Sequence, residues 1–131
     1  MYNKIRHSCF DLSYHLVLVT KYRHQIIKGD LKDSLKQYIY SYFKNNNIEI
    51  VEYNSNLDHI HILFEGKPNI NLSHFINGLK TNSSKYIRKK FPVLMKQYYW
   101  KPYFWSNSYF IGGVSERSAK VVKEYIKNQK E

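Results

Sequence analysis

At 131 residues the chain has the size of one domain with a sizeable core, and a single unit spanning residues 1–131 without a linker is expected. Lys and Arg number 21 against 10 acidic residues, a formal net charge of +11, so the expected partner is a polyanion, either a nucleic acid or an anionic membrane surface. The single cysteine, Cys9, excludes an internal disulfide and any metal site built on paired thiolates, and no run approaches the about 18 apolar residues of a spanning helix.

The start, MYNKIRHSCFD, lacks the apolar stretch of a secretory signal, so a soluble, cytoplasmic protein is expected. Phe10 to Tyr22, FDLSYHLVLVTKY, carries β-branched and aromatic residues on both faces and predicts a strand in the middle of a sheet. From Asp30 onward Leu31, Leu35, Tyr38, Ile39, Tyr42 and Phe43 recur at helical spacing, and Asn45, Asn46 and Asn47 stop the helix. IEIVEYN, Ile48 to Asn54, alternates as a strand; SNLD turns; HIHILFE, His59 to Glu65, returns as its hairpin partner. A second helix starts near Asn71, turns Leu72, Phe75, Ile76 and Leu79 inward, and runs with a break to Phe91, before Pro92. FWSNSYFI, Phe104 to Ile111, is a fourth strand that Gly112 and Gly113 break, and Ser115 is placed to cap a last helix reaching the end of the chain. This order predicts an α+β domain, an antiparallel sheet with helices on one face.

The pair His59 and His61 carries the first chemical signal. Residues i and i+2 of a strand share a face, so the two imidazoles project side by side while Ile60 and Ile62 enter the core. Together they can hold one divalent ion at about 2.0 to 2.2 Å each, which leaves a third ligand to be found. The spacing alone serves equally for two half-buried histidines bonded to their neighbours. Asp58 and Glu65 flank the pair, and either can orient a ligand histidine, although for Asp58 the turn is the expected role. His7, His15, His24 and His74 have no assignable partner and are read as structural.

In the last helix, SERSAKVVKEYIKNQKE, Ala119, Val122 and Ile126 form an apolar stripe, and Lys120, Lys123, Lys127 and Lys130 form the wet face. Tyr125 and Gln129 are i, i+4 neighbours on the flank of that stripe and present a phenol and an amide together. Taken singly, Tyr125 is an ordinary stripe residue and Gln129 a solvated helix end.

Aromatic residues make up 17% of the chain, and rings interleaved with lysines suit single-stranded nucleic acid, where bases stack while the backbone is neutralised. Most rings in a domain of this size nevertheless belong to the core. Lys80, Lys85, Arg88, Lys89 and Lys90 on the second helix, with Lys21 and Arg23 after the first strand, are candidate phosphate contacts, and equally a solvated face. YYWKPYFW, Tyr98 to Trp105, offers rings for extruded bases, while Trp100 and Trp105 fit a core as well.

Several of these segments together carry a resemblance. DHIHILF resembles the histidine-hydrophobe-histidine motif of the HUH endonuclease superfamily, and VVKEYIKNQ resembles the nucleophile helix of its IS200-like, single-tyrosine transposases. SYHLVLVTKYR is similar to their first strand, NSSKYIRKKF to their second long helix, and FWSNSYFIGGV to the strand before the tyrosine helix. The resemblance implies a ferredoxin/RRM-like HUH fold with a C-terminal nucleophile helix. It implies His59, His61 and Gln129 as metal ligands, Tyr125 as nucleophile, and Mg2+ or Mn2+ as cofactor. Imidazole suits zinc or manganese whereas magnesium prefers oxygen, so the donor chemistry by itself leans towards manganese.

The activity so implied is cleavage and rejoining of single-stranded DNA with subterminal hairpins at insertion-sequence ends, in a prokaryotic cytoplasm, through a 5′-phosphotyrosine and a free 3′-hydroxyl. The implied assembly is a homodimer with tyrosine helices acting in trans, for which Gly112 and Gly113 would be the hinge. Two other readings of the same segments are a domesticated relative acting on repetitive palindromes and a non-catalytic single-strand nucleic-acid module. The second would need neither metal nor Tyr125.

Overall fold

A computed structural model describes residues 12–115 and 124–128. Its sheet has four strands, β1 (Leu12–Thr20), β2 (Ile50–Ser55), β3 (His59–Glu65) and β4 (Trp105–Ser115), in the order β2-β3-β1-β4 with every neighbour antiparallel. Helix α1 (Gly29–Asn45) links β1 to β2, and α2 (Leu72–Lys90) with the short α3 (Pro92–Tyr98) links β3 to β4. The expected α+β architecture is therefore present, with β1 in the interior of the sheet, as its two-faced apolar pattern requires.

One face of the sheet is the core. Leu16 and Leu18 of β1 and Ile60, Ile62 and Phe64 of β3 meet Leu35, Ile39 and Phe43 of α1 and Phe75, Ile76 and Leu79 of α2, all almost fully buried. The helices are bound to each other by rings as well: Tyr38 stacks on Tyr86 at 4.8 Å, and the Tyr42 hydroxyl donates to the Phe75 carbonyl at 3.1 Å. Gly78 makes room for that hydroxyl, which a Cβ at this position would strike.

The local chemistry explains where the elements start and stop. Asn71 accepts from the His74 amide at 3.0 Å and so caps α2. Pro92 ends the helix before it and opens α3, because at a first helical position its missing N–H is no loss. That extra turn of helix was not expected from the sequence. β1 stops at Thr20, short of Tyr22, because Tyr22 and Arg23 take positive φ values of 61° and 54° that no strand accommodates.

The largest departure concerns Gly112 and Gly113. They do not break β4: they pair with His15 and Tyr14 and the strand continues to Ser115. Glycine keeps its N–H and C=O, so the ladder to β1 persists, and the two residues are part of the sheet instead of a hinge. Ser115 ends the strand, and the start of the last helix lies outside the described residues.

Trp105 belongs to the core, where its indole N–H donates to Ser83 Oγ at 2.9 Å while that hydroxyl donates to the Leu79 carbonyl at 2.6 Å. Trp100 is exposed. Ser83→Ala leaves the buried indole N–H without an acceptor and should lower unfolding free energy by about 1–3 kcal/mol in urea titration. Ser41→Ala on the exposed side of α1 should stay within about 0.5 kcal/mol of wild type. Equal stability of the two variants would remove the hydrogen bond from the account.

Candidate active site

The face of the sheet turned away from α1 and α2 carries the histidines. Because β3 alternates, burying Ile60, Ile62 and Phe64 against the helices obliges His59, His61 and Leu63 to point the other way. Across the strands the register aligns Asn54, His61, Val17 and Phe110 in one row, with His15 opposite Leu63 and Gly112 in the next.

His59 is held at both ring nitrogens. Nδ1 lies 2.6 Å from Asp58 Oδ1, and Nε2 lies 2.7 Å from the Asn56 amide nitrogen. Carboxylate at one side and amide donor at the other assign the ring proton to Nδ1 and the lone pair to Nε2. Asp58 is in turn gripped by Arg23, Nε to Oδ2 at 3.1 Å. Partial burial pushes the Asp58 carboxyl up, but the hydrogen bond from His59 and then the hydrogen bond and charge of Arg23 outweigh it, so it titrates below its ordinary value. Asp58 therefore does orient a histidine, as one of its two expected uses, while Glu65 stands at the opposite end of β3.

His61 is 7% exposed, and burial, followed by the neighbouring His59 and His15 rings, pushes its pKa down to about 4. It is neutral at pH 7, the state a metal ligand needs. Its Nδ1 lies 3.2 Å from His15 Nε2, and its own Nε2 is buried with no hydrogen-bond partner. The rings of His59 and His61 are 4.9 Å apart. An unpartnered buried imidazole nitrogen beside a second oriented imidazole fits a divalent ion. Among the described residues no three His, Cys, Asp or Glu side chains converge to hold one, and Gln129, the expected third ligand, lies outside those residues.

Residues 124–127 form a helical turn that sits on the same chain's sheet. Ile126 is fully buried, and its carbonyl accepts from the Asn54 amide at 2.6 Å. Tyr125 is 55% exposed beside it. Asn54 is thus the link between the Tyr125 turn and the histidines, since it is the cross-strand partner of His61. Within this single chain the Tyr125 turn rests on its own sheet through the Asn54 contact. Of the predicted stripe, Ile126 behaves as expected; Ala119 and Val122 lie outside the described residues, as do His7 and Cys9.

The basic candidates divide into two groups. Lys80 and Arg88 line a groove of about 350 Å³ with Tyr103 and Trp105, between α2 and the start of β4. The Lys80 ammonium donates to the Asn107 carbonyl at 3.0 Å, and burial, then the charge of Lys21, lowers its pKa. Lys21 itself lies over the Tyr103 ring at 4.8 Å. Lys85, Lys89 and Lys90 are exposed elsewhere on α2, and Arg23 is committed to Asp58. His24 packs among Tyr22, Tyr98 and Tyr99, in keeping with a structural role. Sequence reasoning missed His15, Asn54 and Asn56, because each acts through a partner on another strand or across the turn. Only the alternation of β1, which puts His15 on the face of Val17 and Val19, offered a signal.

Comparison with known proteins gives these groups a setting. Residues 8–129 match the family described as Transposase IS200 like. The ISDra2 transposase TnpA of Deinococcus radiodurans is 32% identical over 120 residues, covering 92% of this chain and 85% of that protein. The transposase for insertion sequence element IS200 of Salmonella typhimurium is 32% identical over 127 residues, covering 97% and 82%. Among solved structures, a crystal structure described as that of a Deinococcus radiodurans transposase superposes with a TM-score of 0.72 at 31% identity, covering 90% of each chain. The structure of a REP-associated tyrosine transposase bound to a REP hairpin, 12% identical, shares the fold with a TM-score of 0.67 over 96% of this chain and 70% of that one. With a family match spanning nearly its whole length, the chain belongs to the IS200-like transposases.

Proposed function

We propose that this transposase cleaves and rejoins single-stranded DNA at the ends of an insertion sequence, with Tyr125 as nucleophile and His59, His61 and Gln129 as ligands of Mg2+ or Mn2+. The observation that carries this reading is the Asn54 link: one amide ties the carbonyl next to Tyr125 to the strand pair that holds His61. Tyr125 and His61, more than 60 residues apart in sequence, are thereby joined through Asn54, which supports the reading.

A divalent ion at the two imidazoles would supply positive charge against the developing negative charge of the scissile phosphate. The protein does the rest. Asp58 keeps the His59 proton on Nδ1, so that the Nε2 lone pair, which meets the Asn56 amide here, would be available to hold a metal ion. Ile126, buried for about 1.5–3 kcal/mol, and the Asn54 hydrogen bond hold the Tyr125 backbone while the exposed phenol reaches for DNA. As Tyr125 Oη bonds to phosphorus the phenol gives up its proton, the P–O3′ bond breaks and the 3′-oxygen leaves as a hydroxyl. The phosphotyrosine retains the ester linkage, so the strand can be rejoined without ATP.

The substrate in this reading carries subterminal hairpins, consistent with the hairpin named in the structure of the REP-associated relative. The insertion-sequence reading stands ahead of the domesticated one because identity is 31–32% to insertion-sequence and Deinococcus relatives and 12% to the REP-associated protein. Lys21, Lys80 and Arg88 around the groove are the phosphate contacts favoured here, with Lys85, Lys89, Lys90 and Arg23 secondary. The site of action is the cytoplasm of a prokaryote, where the DNA is; no helix of the described residues is long and apolar enough to cross a membrane.

Tyr125→Phe should abolish the covalent adduct with labelled single-stranded element ends while leaving the melting temperature and DNA affinity near wild type. Persistence of the adduct would transfer the role to another tyrosine. Tyr86 and Tyr109 are poor substitutes, since both pack against the core cluster on the helix side of the sheet.

His59→Ala, His61→Ala and chelation of wild type should each reduce cleavage to background, yet shift DNA affinity by less than about threefold, because binding rests on Lys and Arg contacts to phosphate. Full cleavage in excess chelator would sink the metal role.

The active form in this reading is a homodimer in which the partner's tyrosine helix fills the seat offered by Asn54. Co-expression of a His61→Ala chain with a Tyr125→Phe chain, and isolation of the doubly tagged heterodimer, should restore about half the wild-type cleavage, because one composite site then has every group intact. A heterodimer as inactive as either parent would assign cleavage to the cis arrangement described above.

A further inference from the structure

His15 stands on β1 opposite Leu63, one residue pair away from His61, which stands opposite Val17. The two imidazoles are therefore diagonal neighbours on the helix-free face, within reach of each other. Their nitrogens, His15 Nε2 and His61 Nδ1, are 3.2 Å apart, their planes differ by 14°, and their centroids are 5.4 Å apart. That centroid distance is close to the N···N distance extended by one ring radius at either end. The rings accordingly lie side by side, nearly in one plane, with an N–H of one aimed along the lone pair of the other.

We propose that His15 is a positioning residue for His61, its Nε2 accepting the Nδ1–H of His61 and so keeping the His61 Nε2 lone pair available to a metal ion. This rests on the reading of His59 and His61 as metal ligands. A hydrogen bond between two neutral imidazoles can run either way, and the surroundings decide which. If His15 donated, His61 would carry its proton on Nε2, which is buried and has no partner, leaving an unsatisfied N–H and no lone pair for a metal. With His61 donating, the bare Nε2 is an acceptor that a cation satisfies. The remaining N–H of His15 then sits on Nδ1, which is not among the buried unpartnered atoms of the described residues.

The two proposed ligands are then fixed alike. Asp58 holds the Nδ1 proton of His59, and His15 holds that of His61. His15 is not itself a ligand, since its Nε2 is engaged and no three such side chains converge among the described residues. Phe110 meets the His15 ring edge-on at 5.9 Å, and Gly112, paired with His15 in β4, leaves the space into which the Phe110 ring folds. His15 is thus backed on one side by an aromatic ring and hydrogen-bonded on the other.

The test uses the full chain. Long-range proton–nitrogen NMR of the metal-free, 15N-labelled protein, with His61 identified through His61→Gln, should report His61 protonated on Nδ1. In His15→Ala and in His15→Phe, which retains bulk without an acceptor, that preference should be lost, and Mn2+ affinity measured by electron paramagnetic resonance should fall by about 10–100-fold at unchanged melting temperature. His15→Gln, whose side-chain carbonyl can accept the same proton, should recover most of the affinity, which a purely packing role would not predict. A wild-type His61 protonated on Nε2, or a His15→Phe protein that binds Mn2+ as wild type does, overturns the role of His15. Wild-type protein that takes up no Mn2+ overturns the metal reading beneath it.

Discussion

β3 is asked to do two incompatible things, and the pleat of a strand is what lets it do both. Its even-numbered residues, Ile60, Ile62 and Phe64, are fully buried against the helices, and its odd-numbered residues, His59 and His61, face away from them. A slip of one residue in its pairing with β1 would send the imidazoles into an apolar core and the isoleucines outward, at a cost of several buried side chains of about 1.5–3 kcal/mol each. The register is therefore held by hydrophobic burial on one face, and the geometry on the other face is inherited from it. The His15–His61 contact, the Asn54–His61 alignment and the seat of Ile126 all follow from that single constraint.

Around the histidines, each polar group is held by a group on a different element. Arg23 reaches Asp58 from a turn in which both Tyr22 and Arg23 adopt left-handed backbone, a conformation costing of order 1–3 kcal/mol per residue. The turn is braced by Thr20, whose hydroxyl donates to the carbonyls of His24 and Asp58, and by the Tyr99 hydroxyl, which donates to the Lys21 carbonyl. Strain in that position brings a guanidinium to the carboxylate that orients His59. The ion pairs among the described residues are confined to this Arg23–Asp58–His59 chain.

Among the described residues the rest of the positive charge has no ion pair within the protein. Lys21 and Lys80 lie over tyrosine rings instead of carboxylates, and burial, then the charge of Lys21, lowers the Lys80 pKa. A surface with 21 cationic and 10 acidic side chains is relieved by an anionic polymer, and the groove beside Lys80 and Arg88 runs along α2 on the side where rings are also exposed or half-buried. In the function proposed above, DNA binding rests on Lys and Arg side chains of α2 and of the turn after β1, and cleavage on side chains of the helix-free face of the sheet.

Much of this was legible in the order of residues. Alternation marked β2 and β3, helical spacing marked α1 and α2, and the i, i+2 histidines announced a shared face, because each of these is a property of neighbours in sequence. Local signals misled at Gly112 and Gly113, where pairing with β1 overrides the weak strand preference of glycine, and were silent on α3. They could not choose between core and surface for Trp100 and Trp105, since that depends on which residue, Ser83 in the event, comes to face the indole. The sequence alone determined which atoms are present and which face of each element they occupy. Only the tertiary structure decided that His15, 46 residues from His61, would share a hydrogen bond with it, and that Asn54 would anchor Ile126 from 72 residues away. Such contacts are set by how strands pair and which helix covers which face, and those are decided by burial across the whole sheet instead of by any stretch of chain read alone.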